Sequence, residues 1–542
     1  MRRVERAAAL ALFILCACAI EGRQHLNYIT PIFQHEPNLQ LSLLGKISDT
    51  EGSLARTFLS PAHQRAADQL RQWMVDAGME AWIDLVGNVH GRLNGSDPEA
   101  PSLLLGSHYD TVLDGGNFDG ALGIIVGIAA TKALAIQAAL AAGAQLPAPP
   151  AYPPANPEGE QGSQAEGGSS WVLPPAAAQA ASSRLRGGVR LVAFSDEEGV
   201  RFQSTFLGSR AVAGSLIEAG MLAARDSGGA TLQQVLQQHS GLGQVAAEVD
   251  GLALPPASLR GYVEVHMEQG PVLERRQVPL GVVSAIAGQT RAWLVINGTQ
   301  GHAGTVPMRG RADALAAAAE VVSTVERRCG GGPYLDPNGQ GIIPADDSEG
   351  LVCSVGDLRV WPGASNVIPG SVQLSLDIRS KSDVLRQRVV SNISRSIAEI
   401  CAVRGVSCSV KRTHDAAAVL CDPGIMQGLE QAIQAVARQP WGGSFTATSS
   451  SRLGDDLEGQ TCVLPEGQEA EEPAKVEVPV LVSGAGHDAM ALAPITKMGM
   501  MFVRCRGGVS HSPAEHVAPE DVSVAAAALA HFLVTELLAS SR

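Results

Sequence analysis

The chain has 542 residues, 45% hydrophobic and only 4% aromatic, with a formal net charge of −14. That length allows two or three domains of roughly 150 residues each, with cores built from Ala, Val, Leu and Ile. The acidic balance argues against non-specific nucleic-acid binding, which needs clustered Lys and Arg. An anionic substrate would have to be drawn in locally, by cations or a few placed arginines.

Arg2, Arg3 and Arg6 precede an apolar run to Ile20, and Ala17-Cys18-Ala19 satisfies the small-residue rule for signal cleavage. Residues 1–19 are read as a secretory signal. The run is short for a bilayer span. No later segment reads as a transmembrane helix, so no membrane association is expected after cleavage. No retrieval tetrapeptide ends the chain, and the localisation expected is the secretory pathway, with residence in the endoplasmic reticulum.

From residue 25 to 288 short apolar strands alternate with helices, as in a mostly parallel sheet. Strands are expected at Leu103 to Leu105, Val189 to Phe194 and Val263 to Val265, with a helix over 120–139. Residues 139–187, rich in Ala, Pro, Gly, Ser and Gln, have no apolar period and read as a disordered insertion. Residues 289–413 read as a separate unit. Strands at 291–296, 351–358, 372–378 and 406–411 and helices at 311–328 and 382–404 follow the order β-α-β-β-α-β of the split ferredoxin-like unit. From 414 to 542 the first pattern resumes, with helices at 423–438 and 519–539 and strands at 478–482 and 500–503. A second disordered insertion is expected over 440–476. The fold class expected is therefore α/β, a large mostly parallel-sheet domain interrupted by a smaller α+β domain.

The seven cysteines outside the signal are scattered and odd in number, which argues against a disulfide framework while leaving room for one bridge. Asn94, Asn297 and Asn392 stand in glycosylation acceptor tripeptides, mild support for a secretory route.

Four clusters carry chemistry, and each begins at or just past an expected strand, where open α/β sheets bind ligands. Gly106-Ser107-His108-Tyr109-Asp110 is the first. Asp110 is placed to receive the other ring N–H of His108, which would fix its tautomer. Eleven residues on, Asp119 stands at a helix start, where an Asp is commonly only an N-cap but can also bridge two cations. Ser195-Asp196-Glu197-Glu198 follows the second strand. Such an acidic run is often a solvated turn, yet a cation would offset the mutual repulsion. Val263-Glu264-Val265-His266 and Val509-Ser510-His511 supply further imidazoles, each of which alone would be an ordinary hydrogen-bonded His.

Together His108, Asp119, Glu198, His266 and His511 make a His/carboxylate set without cysteine, suited to zinc, manganese or cobalt. With one bridging carboxylate such a set holds two ions roughly 3.5–4 Å apart. Of Glu197 and Glu198, one would be a ligand and the other the general base.

These motifs resemble the dinuclear metallopeptidase and amidase superfamily that includes aminoacylases and N-carbamoyl-amino-acid hydrolases. The resemblance implies one ion on His108, Asp119 and His266, another on Asp119, Glu198 and His511, and Glu197 as base. Within the superfamily, four strings are similar to the plant-type allantoate amidohydrolases (allantoate deiminases). They are the run from Phe194 to Ser209, Gly301-His302-Ala303-Gly304-Thr305-Val306-Pro307-Met308, Ala364-Ser365-Asn366-Val367-Ile368-Pro369-Gly370 and Ser483-Gly484-Ala485-Gly486-His487-Asp488-Ala489-Met490. That branch implies hydrolysis of allantoate, a small anionic ureide, to ureidoglycine, ammonia and carbon dioxide in purine catabolism. Manganese is the metal implied, with zinc compatible with the ligands. Ureidoglycolate and N-carbamoyl-amino-acid or β-ureidopropionate hydrolysis are the alternatives. The resemblance further implies a homodimer formed through the smaller domain, His302 at the scissile carbonyl, Asn366 and Arg379 on the substrate carboxylate, and Gln289 and His487 as weaker contacts.

Overall fold

A computed structural model of the chain describes residues 21–149, 171–330, 350–437 and 476–538, with side chains from residue 28. The signal expected over residues 1–19 and nearly all of the second insertion lie outside the described residues. The chain divides into two compact units. The first comprises Met1–Val282, Asp422–Val480 and His487–Arg542, and the second Val283–Cys421 with Leu481–Gly486. The second unit is thus wider at both ends than the expected 289–413 and recruits a later strand segment.

The sheet of the first unit runs, in order, Glu80–Ile83, Val89–Leu93, Val189–Phe194, Ser102–His108, Leu259–Met267 and Met498–Val503. The pairings among the last four strands are parallel, whereas Val89–Leu93 lies antiparallel to Val189–Phe194 and to Glu80–Ile83. Register aligns the strand ends: His108 faces Phe194, and His266 faces Phe502. The parallel strands are buried on both faces, which is why they read as continuous apolar runs rather than alternations.

One covering element is the helix Ala121–Ala141. It is long and apolar enough to cross a membrane, but 83% of its most apolar window is buried inside the protein. A helix apolar on every side is a core helix when surrounded, and this one packs against Ser102–His108, Leu259–Met267 and the helix Pro519–Leu537.

The expected disordered stretch is corrected for residues 171–187. Pro175–Ser182 is a helix, and Trp171, Leu173, Ala177, Ala181 and Leu185 are buried in the main core. The Trp171 N–H donates to Glu36 at 3.2 Å, and Glu36 forms a buried ion pair with Lys132 at 2.7 Å. An Ala-rich segment shows little period because Ala can face either core or solvent. Packing decides its order here.

In the second unit five strands form an antiparallel sheet ordered Leu358–Trp361, Ser371–Ser380, Gly288–Asn297 and Ser407–Ala416, with Val352–Ser354 also on Ser371–Ser380. The helices Ala314–Arg328 and Asp383–Arg404 cover one face, burying Leu294, Ile296, Val372, Leu374 and Leu376. The expected strand 351–358 is two short strands, broken where the Ser375 hydroxyl takes the Gly356 and Asp357 N–H groups. The cysteine expectation is also corrected. Cys329–Cys353 and Cys401–Cys408 are disulfides, leaving Cys421 and Cys505 as buried thiols among the described residues.

Candidate metal centre

The strand ends of the first unit converge on one carboxylate. Asp119 Oδ1 lies 3.3 Å from His266 Nε2 and 3.9 Å from His108 Nε2. Asp119 Oδ2 lies 3.2 Å from His511 Nε2, which is itself 3.2 Å from Glu198 Oε1. Donor atoms of His108, Asp119 and His266 fall within 4.8 Å of one another, as do those of Asp119, Glu198 and His511. The five residues picked from the sequence are thus brought together as two groups sharing Asp119.

Local backbone explains how Asp119 gets there. It does not cap the following helix with its side chain. Gly120 is the N-cap, at φ +65°, and any Cβ there would collide with the His108 ring and carbonyl. Glycine therefore lets the turn press against the end of Ser102–His108 and frees the Asp119 carboxylate for the site.

Asp110 lies beside the His108 ring. His108 Nδ1 lies 3.2 Å from the Asp110 carbonyl oxygen and 3.4 Å from its Oδ1. The two Asp110 carboxylate oxygens also accept the Glu197 and Glu198 N–H groups at 3.0 and 3.2 Å. Donor atoms of His108, Glu197 and Glu198 form a third close group. Glu197 therefore stands beside both halves of the centre.

Crowding and burial perturb the ionisable groups of the site. Burial opposes ionisation of Asp119, but hydrogen bonds from His266 and His511 outweigh it and hold the carboxyl well below its usual range. The same contacts, with Glu198, push the His511 imidazole up to about 10. Burial, then repulsion from Glu198 and Asp488, raises Glu197 well above a normal carboxyl against the pull of His108. Asp196 Oδ2 is buried without a hydrogen-bond partner. Clustered imidazoles and carboxylates of this kind suit a borderline or hard divalent ion, so the residues present fit metal.

Beyond Asp110 and His487, sequence reasoning missed the support that Glu264 and Gln269 give the centre. Glu264, fully buried, accepts from Ser107, Tyr262 and the Ala489 N–H at 3.2, 3.0 and 3.3 Å. Its donor atoms group with those of His266 and His487. His487 packs edge-on against His266 at 4.6 Å, and burial, followed by the nearby His266, holds its pKa well below the imidazole norm. Gln269 donates to Asp119 Oδ1 at 3.1 Å and to Ser510 at 2.9 Å. Glu264 stands two residues before His266 and Gln269 three after it. That proximity was the available signal.

The remaining predicted residues lie in the second unit. His302, on the short antiparallel pair Gly301–His302 and Val367–Ile368, and Asn366, just before that pair's second strand, are both exposed, and the Ala303 N–H donates to the Asn366 carbonyl at 2.9 Å. Gln289 and Arg379 are direct cross-strand partners on the uncovered face of the larger sheet. Arg379, expected by resemblance on the substrate carboxylate, already has partners within the chain. It holds Asp377 in two-point fashion at 3.0 and 2.8 Å and donates to the Gly484 carbonyl at 2.6 Å. Burial works against ionisation of Asp377, but Arg379 and Arg291 hold it below its usual range. A guanidinium has five N–H groups, so two remain for another acceptor.

A model of peptidase family M20/M25/M40 matches residues 175–459. The chain is 44% identical to a probable allantoate deiminase of Oryza sativa subsp. japonica, over 93% of this chain and 88% of that protein. It is 41% identical to an allantoate deiminase of Arabidopsis thaliana, over 95% and 85%. The chain belongs to peptidase family M20/M25/M40. A hydantoinase/carbamoylase-family amidase from Burkholderia multivorans shares the fold, with TM-score 0.68 and 24% identity over 92% of this chain and 97% of that one. Of the five residues in the centre, Glu198 and His266 lie within the M20/M25/M40 match, while His108, Asp119 and His511 lie outside it and join the site by geometry.

Proposed function

We propose that this chain hydrolyses allantoate to ureidoglycine, ammonia and carbon dioxide, using two divalent cations, manganese in preference to zinc. The observation that carries the two-cation reading is Asp119, one oxygen turned to His108 and His266 and the other to His511, which also meets Glu198. The substrate class is supported by 44% and 41% identity to proteins named as allantoate deiminases, over nearly the whole chain. His108, Asp119 and His266 would hold one ion, and Asp119, Glu198 and His511 the other.

When bound, such a pair supplies a polarised carbonyl and a water acidic enough to attack near neutral pH. Glu197 accepts that water's proton on its carboxylate as the oxygen adds to the ureido carbonyl. It then returns the proton to the departing nitrogen, which leaves as ammonia. The carbamate left behind loses carbon dioxide. Asp110 keeps His108 and the Glu197 backbone in register during these transfers.

Unit two is proposed as a lid and dimerisation domain of a homodimer, the support being its β-α-β-β-α-β core and the family resemblance. His302, Asn366, Gln289 and Arg379 are proposed substrate contacts, with the two uncommitted N–H groups of Arg379 suited to a carboxylate. A cleaved signal and residence in the endoplasmic reticulum are proposed from the N-terminal sequence. The disulfides Cys329–Cys353 and Cys401–Cys408 support an oxidising compartment.

The test is ammonia release by metal-stripped protein given manganese or zinc, with allantoate, ureidoglycolate and N-carbamoyl-β-alanine compared. Preference for either of the latter two would replace allantoate as substrate.

A further inference from the structure

Glu515 is 6% exposed and touches neither His108 nor His266 in any hydrogen bond, yet it joins the two chain segments that meet at Asp119. Its Oε2 accepts the backbone N–H groups of Phe118 and Asp119 at 3.3 and 3.2 Å. Its Oε1 accepts the backbone N–H of His511 at 2.9 Å and lies 3.4 Å from the Ser510 hydroxyl. Ser510 in turn reaches Asp119 Oδ2 at 3.3 Å. One carboxylate thus ties the backbone of the shared ligand to the backbone of the last histidine.

The two halves of the centre differ in what else holds them. His108 and His266 are 2% exposed and sit on paired strands of the sheet. The His511 side chain is 52% exposed, its residue lies in a loop at φ +56°, and two glycines with positive φ, Gly507 and Gly508, precede it. A non-glycine residue in that conformation persists only where its surroundings impose it. The approach is also tight from the other side: a Cβ on Gly116 would collide with the Glu515 carboxylate.

We propose that Glu515 is a positioning residue that sets the His511 loop against Asp119, so that its loss selectively weakens the cation position formed by Asp119, Glu198 and His511. This rests on the two-ion reading above. Without the Glu515 carboxylate, the His511 N–H loses its acceptor, and the imidazole no longer meets Asp119 Oδ2 and Glu198 at fixed distance. The His108–Asp119–His266 position keeps its strand-borne imidazoles.

The test is calorimetric titration of Mn2+ into metal-stripped full-length protein. Glu515→Ala and Gly116→Ala are each expected to weaken one of two binding events by roughly tenfold or more, the size of effect seen for residues that orient ligands. The other event should stay within roughly threefold. Glu515→Gln, which can still accept on one side of its amide, should fall between, a graded rescue that a general loss of folding would not give. Two binding events weakened alike, or neither weakened, would overturn the inference. If the unaltered chain binds fewer than two Mn2+ ions, the two-ion reading fails first and takes this inference with it.

Discussion

The Asp110 carboxylate accepts the backbone N–H of Glu197 at 3.0 Å, fixing the loop after one strand to the end of the next. The same carboxylate serves the Glu198 N–H and the His108 ring. Asp110→Asn keeps the shape but offers only one accepting atom. The expected result is roughly 10- to 100-fold weaker cation binding or turnover, as for other residues that orient metal ligands. Titration of Mn2+ alongside steady-state kinetics checks it, and a variant with unchanged values in both would remove Asp110 from this role.

Glu197 is expected to act on protons and not on cations. Glu197→Gln should retain the Mn2+ affinity of the parent protein while kcat for ammonia release falls by roughly 10²- to 10⁴-fold. A matching loss of Mn2+ binding would instead make Glu197 a ligand.

The residues of the centre were legible because strand ends leave a sequence signature. An apolar run stops, and His or carboxylate follows, as at His108, Glu198 and His266. What joined them was not legible. Asp377 stands two residues from Arg379 on the same strand face, yet only the folded sheet shows the pair closed. The cysteine pairings were hidden for the same reason, since Cys329 and Cys353 approach only when the Ala314–Arg328 helix lies on its sheet. The ordered stretch 171–187 was missed because its burial depends on Glu36 and the core helix, not on a local period.

Acid should destabilise the first unit through His63. Its ring, fully buried, lies 2.7 Å from the Ser195 carbonyl, and burial lowers its pKa from 6.5 to about 4. Between those values the unfolded chain binds the proton and the folded one does not, so this contribution to stability falls as pH drops below 6.5. The loss is about 2 kcal/mol at pH 5 and approaches roughly 3 kcal/mol near pH 4. Urea unfolding at pH 7 and pH 5 should show a steeper loss in the parent than in His63→Gln. Equal slopes would mean His63 titrates normally.

The two disulfides should contribute unequally to the second unit. Cys329–Cys353 closes 24 positions and Cys401–Cys408 closes 7. Loop-closure entropy then gives about 3 kcal/mol for the first and about 2 kcal/mol for the second. Replacing each pair by alanine and following urea unfolding tests the order. A larger loss from the shorter loop would contradict it.

The bond from the Asp119 N–H to Glu515 spans 396 positions of the chain. During translation His108, Asp119, Glu198 and His266 emerge long before the segment carrying His511 and Glu515. A chain that has not yet reached this segment lacks the group around His511, and its His266 strand also lacks the neighbour Met498–Val503. On the two-ion reading proposed above, the cation position around His511 is expected to form only once synthesis has passed Glu515.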